Sequence, residues 1–521
     1  MPEYLSPGVY IEEVNVGPRP IEGVGTAMAA FVGFAAAGPA NRPVLVTNWS
    51  QYVDQFGALE EGGRRNPYMP GAYLGHAVYG YFTNGGTRCY VTRILPNVRG
   101  SDEKHANAQL PSKASKAVPS LTIAAKGVQS SDIALEVTPF TGPDATEGAF
   151  NLRVKLDDIE ETYENLIADR KTPKGSSARP VVEALAVSQI VTVIEVATTG
   201  TLSERMPDVG SYVIKVPAAS QAPAVRSNDF MGDVTDRSGL EGLEVADDVT
   251  MICAPDLMAA FEKGMIDKDG VKAVQLAMIA HCERMQDRVA IIDPLPGLNA
   301  QQVKKWREVE SNFDSKFAAL YYPWVQVNGP DGKPMAVPPS GHVAGIWARN
   351  DAERGVHKAP ANEIVRGSLN PVVQLTKGEQ DTLNPIGVNC IRTFTGMGVR
   401  VWGARTLSSD PAWRYINVRR LFNYVEKSIE RGTQWVVFEP NDMNLWERVK
   451  RDIGAFLTGV WREGALFGAT PAQAFFVKCD EELNPPDVRD RGQLIIEIGI
   501  APVKPAEFVI FRFQQYAGGG A

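Results

Sequence analysis

Val249-Thr250-Met251-Ile252-Cys253, Val289-Ala290-Ile291-Ile292-Asp293 and Ala318-Ala319-Leu320-Tyr321-Tyr322 decide the fold class of this chain. Each is a short apolar run of strand formers, and the intervening segments Lys272–Arg284 and Ala300–Val309 carry apolar residues at helical spacing. Strands alternating with amphipathic helices imply a mainly parallel sheet covered on both faces. The same pattern appears upstream. Ala30-Phe31-Val32-Gly33-Phe34 reads as a buried strand, and Asn48 as the N-cap of a helix that ends at Gly57. Tyr73–Phe82 is helix-like and stops at Asn84-Gly85-Gly86, before the strand Arg88–Ile94. Val327-Asn328-Gly329-Pro330-Asp331-Gly332-Lys333 predicts a hairpin.

Between these two α/β stretches the composition changes. Residues 101–118 are polar and rich in Lys, Ala and Ser. Alternating runs then follow at Leu121–Ile123, Ala134–Val137, Phe150–Leu156 and Ile190–Val196, separated by turn clusters such as Thr141-Gly142-Pro143-Asp144. This is the signature of a β-rich insertion, and its long polar loops place it facing outward. Towards the C-terminus, Asn417 is the expected N-cap of a helix Val418–Arg431 closed by Gly432. Asn441 or Asp442 caps a second helix, to about Glu463, whose apolar stripe includes Leu445, Val449, Ile453 and Val460. Two strand-like runs follow, Leu494–Ile500 and Glu507–Phe513.

The fold class is therefore α/β, α+β overall. It divides into an N-terminal arm at 1–20, core at 21–100, the insertion at 101–227, more core at 228–390, and a C-terminal domain at 391–521. The last ends in a strand at about 505–516. The arm holds the turn Ser6-Pro7-Gly8 and the strand-like Val9–Val14, which is either a frayed tail or a strand lacking a sheet.

A chain of 521 residues with 44% apolar and 22% charged residues has ordinary globular composition, and its net charge of −8 argues against nucleic acid as a partner. The five cysteines stand singly, four of them in apolar runs, which fits buried thiols in a reducing compartment. Met1-Pro2-Glu3-Tyr4 does not open a signal peptide, and the small-residue run 23–38 is poor material for a membrane span. A protein assembled in the cytoplasm, without direct membrane insertion, is expected.

An α/β sheet invites a search for chemistry. The sequence holds no GxxxxGK[ST] loop, strand–GxGxxG–helix fingerprint, HExxH or GxSxG. Gly396-Met397-Gly398 leads into Val401 and Trp402, and no glycine-led helix start follows to receive a pyrophosphate. Asp267-Lys268-Asp269-Gly270 lacks the later ligands of a calcium loop and reads as a helix cap. The five histidines show no metal-ligand spacing, and His342 and His357 read as loop or surface residues. No cofactor, metal or catalytic residue is expected. The rival of another class is an α/β enzyme with its site at the carboxyl ends of strands 249–253 and 289–293.

The chain resembles the contractile tail sheath proteins of phage tails and phage-tail-like contractile injection systems. The resemblance rests on Ser6-Pro7-Gly8-Val9-Tyr10-Ile11-Glu12-Glu13, Gly23-Val24-Gly25-Thr26, Ala30-Phe31-Val32-Gly33, Asn84-Gly85-Gly86 and Pro338-Pro339-Ser340-Gly341. It continues through Ala348-Arg349-Asn350-Asp351, Lys358–Asn362, Gly387-Val388-Asn389, Gly403-Ala404-Arg405-Thr406-Leu407, Asn417–Leu421 and Phe438-Glu439-Pro440-Asn441. Residues 101–227 lie outside it.

The resemblance implies a non-enzymatic subunit of a homopolymer. Such subunits stack as six-membered rings around an inner tube in a metastable extended state, between a baseplate and a terminator or cap. Contraction drives the tube through a target envelope. An injection system is favoured, with a true phage tail as the alternative. Neighbouring copies exchange strands, which in this chain implies arms carrying Val9, Tyr10, Ile11 and Val14 and Phe508, Ile510, Phe511 and Phe513, with Leu494, Ile496 and Ile498 in the acceptor sheet. The helix 441–463 is the candidate for facing the tube through Arg448, Lys450 and Arg451, the plain alternative being a solvated basic face. Arg405, Arg419 and Arg420 are expected to pair within the C-terminal domain, with an intersubunit role as the alternative.

Overall fold

The computed structural model describes residues 21–60, 63–95, 107–114, 119–125, 132–142, 146–156, 159–169, 177–188, 190–197, 199–215 and 225–512. Val9, Tyr10, Ile11, Val14 and Phe513 lie outside the described residues. The chain divides into two compact units, one formed by 1–94 and 227–521 and the other by 95–226.

The first unit is built on a nine-stranded sheet. In chain order its strands are β1 (Ala29–Gly33), β2 (Val44–Val46), β3 (Cys89–Arg93), β4 (Met251–Cys253), β5 (Val289–Ile292), β6 (Ala318–Tyr322), β7 (Glu363–Ile364), β8 (Val388–Phe394) and β9 (Gly398–Trp402). They lie in the order β7-β9-β8-β6-β5-β4-β1-β3-β2. The six inner strands from β8 to β3 pair in parallel, while β2, β9 and β7 add antiparallel strands at the two edges. The apolar runs that define β1, β4, β5 and β6 are buried along their whole length, as strands covered on both faces must be. Residue 391 falls inside β8, so this sheet runs past the expected start of a C-terminal domain.

Five helices of this unit shape its core and its C-terminal surface: α1 (Leu74–Thr83), α2 (Lys268–Met285), α3 (Ser340–Arg354), α4 (Ile416–Gly432) and α5 (Met443–Arg462). Asp267 caps α2 through the Gly270 N–H. The expected helix Ala300–Val309 is shorter, at Ala300–Lys305, and continues as a π-helical turn, Trp306–Ser311. The placement of His342 in a loop or on the surface is corrected, since it is buried in α3. The first eleven residues of α3 are all buried, so the helix has almost no polar face to reveal its period. It crosses α1 closely. A Cβ at Gly341 would overlap the backbone of Ala77, and one at Gly345 would overlap the Tyr81 carbonyl.

In the second unit, one sheet runs Arg179–Pro180, Ile159–Ile167, Phe150–Leu156, Ile133–Pro139, Gly210–Ile214, and a smaller one Val191–Val196, Pro119–Ala125, Asn107–Pro111. Strand Phe150–Leu156 buries alternate residues, and Leu121, Ile123, Leu135, Val137, Leu152 and Val154 join one apolar core.

Candidate assembly surfaces at the C-terminus

Helices α4 and α5 form an apolar layer with each other and with the segment after them. Leu421, Val425, Leu445, Trp446, Val449, Ile453, Leu457 and Val460 are its buried members. Asp442 caps α5 by accepting from the Leu445 N–H. The expected cap at Asn417 is corrected, because α4 begins at Ile416, two residues before the expected start, and Asn417 is buried in its first turn. Its side-chain amide donates instead to the carbonyls of His357 (2.7 Å) and Val503 (3.2 Å).

Against this layer lies a two-stranded antiparallel sheet, β10 (Phe475–Lys478) with β11 (Glu497–Ile500). The strand expected over Leu494–Ile500 is therefore shorter, and its partner β10 is too brief to have a readable period. Leu494, Ile496 and Ile498 pack partly buried against the helices, while Phe476, on β10, is 52% exposed. Each strand of a two-stranded sheet has one edge with unpaired main-chain groups.

Beyond β11 the chain is held first at Ala501, which donates to the Ala474 carbonyl (2.8 Å) and accepts from the Phe467 N–H (2.8 Å), and then at Val503 and Glu507. Val503 donates its N–H to the Ala465 carbonyl (3.2 Å) and accepts from Asn417. Glu507 is then gripped from three directions. Arg405 donates Nε to Oε1 (2.9 Å) and Nη2 to Oε2 (2.7 Å), Asn384 donates to Oε1 (2.7 Å), and the Tyr415 hydroxyl donates to Oε2 (2.9 Å). Burial raises the Glu507 carboxyl pKa, but these hydrogen bonds outweigh it and hold the group below its ordinary value. Past this grip, Phe508, Val509, Ile510 and Phe511 are 71%, 68%, 78% and 76% exposed. The described part of the expected strand Glu507–Phe513 forms no strand within its own chain.

The N-terminal side enters the same layer. Ile21 joins the apolar cluster, and the Val24 N–H donates to the Ser428 hydroxyl (3.1 Å). Thr26 meets a buried ion pair in which Arg420 donates two bonds to Asp351 (2.8 and 2.5 Å) and one to the Thr26 carbonyl (2.9 Å). Arg405, Arg419 and Arg420 all pair inside the chain, with Glu507, Glu426 and Asp351. Arg420 reaches α3 in the core, which lies outside the C-terminal domain expected to hold its partner.

The three candidate tube-facing residues lie on α5. Arg448 sits over the Trp435 ring (4.5 Å) and 3.9 Å from Glu439, Lys450 pairs with Glu447 (2.5 Å), and Arg451 with Asp452 (3.3 Å). Each has a local partner within the chain. Among the described residues no cluster of His, Cys, Asp or Glu forms a metal site, and no helix is long and apolar enough to cross a membrane. All five cysteines are free and buried.

Comparison with known proteins fits this architecture. Residues 240–407 match the phage tail sheath protein central domain and 408–516 match the phage tail sheath C-terminal domain, together more than half of the 521 residues. The tail sheath protein of Burkholderia phage BcepMu is 24% identical over 97% of this chain and 96% of its own length. That of Vibrio phage KVP40 is 33% identical over 34% of this chain, and the match spans only 26% of its length. The helical sheath of the anti-feeding prophage in its contracted state shares the fold, with a TM-score of 0.60 and 24% identity over 98% of this chain and all of that one. The chain belongs to the phage tail sheath family. That family is structural, so the rival reading of an α/β enzyme is set aside.

Proposed function

We propose that this chain is the subunit of a contractile sheath that polymerises as stacked six-membered rings around an inner tube. Energy stored in an extended packing is released when the sheath contracts and drives the tube through a target envelope. The observation that carries this reading is the C-terminal tail, where four large apolar residues in succession stand exposed immediately after a rigidly held glutamate. Four consecutive exposed apolar side chains are costly in water and fit a strand that completes its pairing on a second copy. The two-stranded sheet β10–β11, beside the same layer, is the matching acceptor. The arm bearing Val9, Tyr10, Ile11 and Val14 is the second exchanged strand. A single exchanged strand of four or five bonds contributes only a few kcal/mol, at about 1 kcal/mol each. Repetition along and around the polymer makes the mesh persistent.

The partners in this reading are other copies of the chain, the tube, a baseplate and a terminator or cap, assembled in the bacterial cytoplasm. The insertion at 101–227 is the outward-facing part in this reading. A phage-tail-like injection system is favoured. The likeness to sheaths solved from the anti-feeding prophage and from an extracellular contractile injection system supports it. The relatives from true phages keep the phage-tail alternative in place.

Electron microscopy of the purified full chain tests the reading. Hollow cylinders of fixed helical symmetry are expected, and removal of residues 1–20 leaves a folded monomer that does not form them. Normal cylinders from that deletion would overturn strand exchange by the arm. Small closed oligomers from the intact chain would overturn the sheath reading altogether.

A further inference from the structure

The grip on Glu507 is stronger than the docking of a chain end requires. Three donors from separate segments converge on one carboxylate, and the Arg405–Glu507 pair is largely shielded, its side chains 10% and 18% exposed. Two parallel charge-assisted bonds resist sliding as well as separation, because both must break together. Arg405 is itself rooted in the central sheet. Its N–H donates to Asn389 Oδ1 (2.7 Å), and Asn389 Nδ2 donates to the carbonyls of Arg405 (2.7 Å) and Leu320 (3.1 Å). Asn389 belongs to β8 and Leu320 to its parallel neighbour β6. A continuous polar chain therefore leads from the root of the tail to the middle of the nine-stranded sheet without passing through the α4–α5 layer.

We propose that Glu507 is the anchor through which pull on the exchanged tail enters the subunit, and that Arg405 and Asn389 carry that load into the central sheet. The proposal rests on the reading that residues beyond Glu507 pair with a second copy. It adds that the link is fastened to the rigid sheet and bypasses the weaker two-stranded one, so neighbouring copies stay joined while their packing changes. Glu507 is a positioning residue in this scheme, since its part is to hold the root of the tail.

The test uses the full chain assembled into cylinders, with three variants: truncation after Glu507, Glu507→Gln and Tyr415→Phe. Truncation is expected to abolish ordered cylinders. Melting of the unassembled subunit is recorded for both substitutions, so that any loss of folding stability within the subunit is separated from loss of the link. Cylinders form in both, but those of Glu507→Gln dissociate about tenfold faster or more in a guanidinium series, the loss expected for a charge-assisted bond repeated at every link. Tyr415→Phe gives a smaller change in the same direction. If truncated chains build normal cylinders, the exchange reading itself fails. If truncation abolishes assembly while both substituted cylinders persist like the parent, the anchor is overturned and exchange survives. A fall in subunit melting that accounts for the faster dissociation also overturns it, because Glu507 is then an ordinary stabilising contact.

Discussion

The nine-stranded sheet and the two-stranded sheet β10–β11 draw on similar residues, yet only the first is complete. Its inner strands β1, β4, β5 and β6 have every residue buried. In β10 and β11 no residue is fully buried, and helices cover one face alone. Two strands with one covered face are marginal by themselves. The contrast separates two duties. Stability is concentrated where hydrogen bonds and apolar surface are satisfied within the chain, and capacity for binding where they are left over. Substitutions in the first region should lower folding stability in every state, whereas substitutions in the second should spare the monomer and change assembly.

The largest effect is expected at the buried pair that ties α3 to α4. Asp351→Asn leaves Arg420, whose side chain is 3% exposed, without its ionic partner in a site that also holds the Trp347 ring. Loss of one member of a buried pair costs about 3–5 kcal/mol. Urea unfolding of the monomer should show a lower midpoint at unchanged slope, and a change under 1 kcal/mol would mean that water reaches this pair. Next comes the α1–α3 crossing. Gly345→Val places a branched side chain against the Tyr81 carbonyl, and overpacking of this kind costs about 1–3 kcal/mol or more.

The same crossing makes the core sensitive to acid. His76 on α1 and His342 on α3 are buried, and burial lowers both to about 4. The unfolded chain takes up these protons below its ordinary histidine value of about 6.5, while the folded chain does not until near 4. The stability that depends on these histidines is therefore full above pH 6.5 and declines as pH falls through that window, by about 1.4 kcal/mol per pH unit for each histidine. Asp293, raised to about 7 by burial, acts with the opposite sign over an overlapping range, losing stability as pH rises from its unfolded value. Comparing the parent with His342→Gln between pH 7 and pH 5 isolates the histidine part, and the variant should lose less stability over that interval.

Much of the complete region was legible in the chain, because buried parallel strands must be apolar runs and Asp267 and Asp442 cap their helices locally. What escaped did so for physical reasons. Helix α3 is buried all round over its first eleven residues and so shows no amphipathic period there. Strand Ile159–Ile167 carries charged residues on its open face and reads as polar. Above all, the grip on Glu507 joins residues 102 positions apart, and no local pattern pairs Arg405 with that glutamate. The incomplete region was legible only as strand-like runs at a chain end. Which edge remains free depends on tertiary packing.

In the incomplete region the monomer should barely respond. Ile510→Asp changes a side chain that is 78% exposed, so its urea midpoint should match the parent within about 0.5 kcal/mol. Cylinder formation should be lost, because a charge would have to enter the exchanged strand. A destabilised monomer would show that the tail packs on its own body, and the contrast between the two sheets would weaken.

The smallest expected effect concerns α5, which belongs to both regions: its inner face is core, and its outer face carries Arg448, Lys450 and Arg451. Their partners Glu439, Glu447 and Asp452 lie on the same chain, and Arg448 and Arg451 are half-exposed or more. Arg451 donates to Asp452, whose side chain is only 5% exposed, so Arg451→Gln should cost the monomer about 1 kcal/mol, the loss of one half-buried charge-assisted contact. An attraction to an acidic tube would act through the same side chain at long range and weaken as salt is added. The measurement that separates the two is tube binding by the Arg451→Gln sheath at low and at physiological ionic strength. A loss confined to low salt assigns the outer face of α5 to assembly. Equal binding at both leaves Arg451 with no role beyond its contact with Asp452.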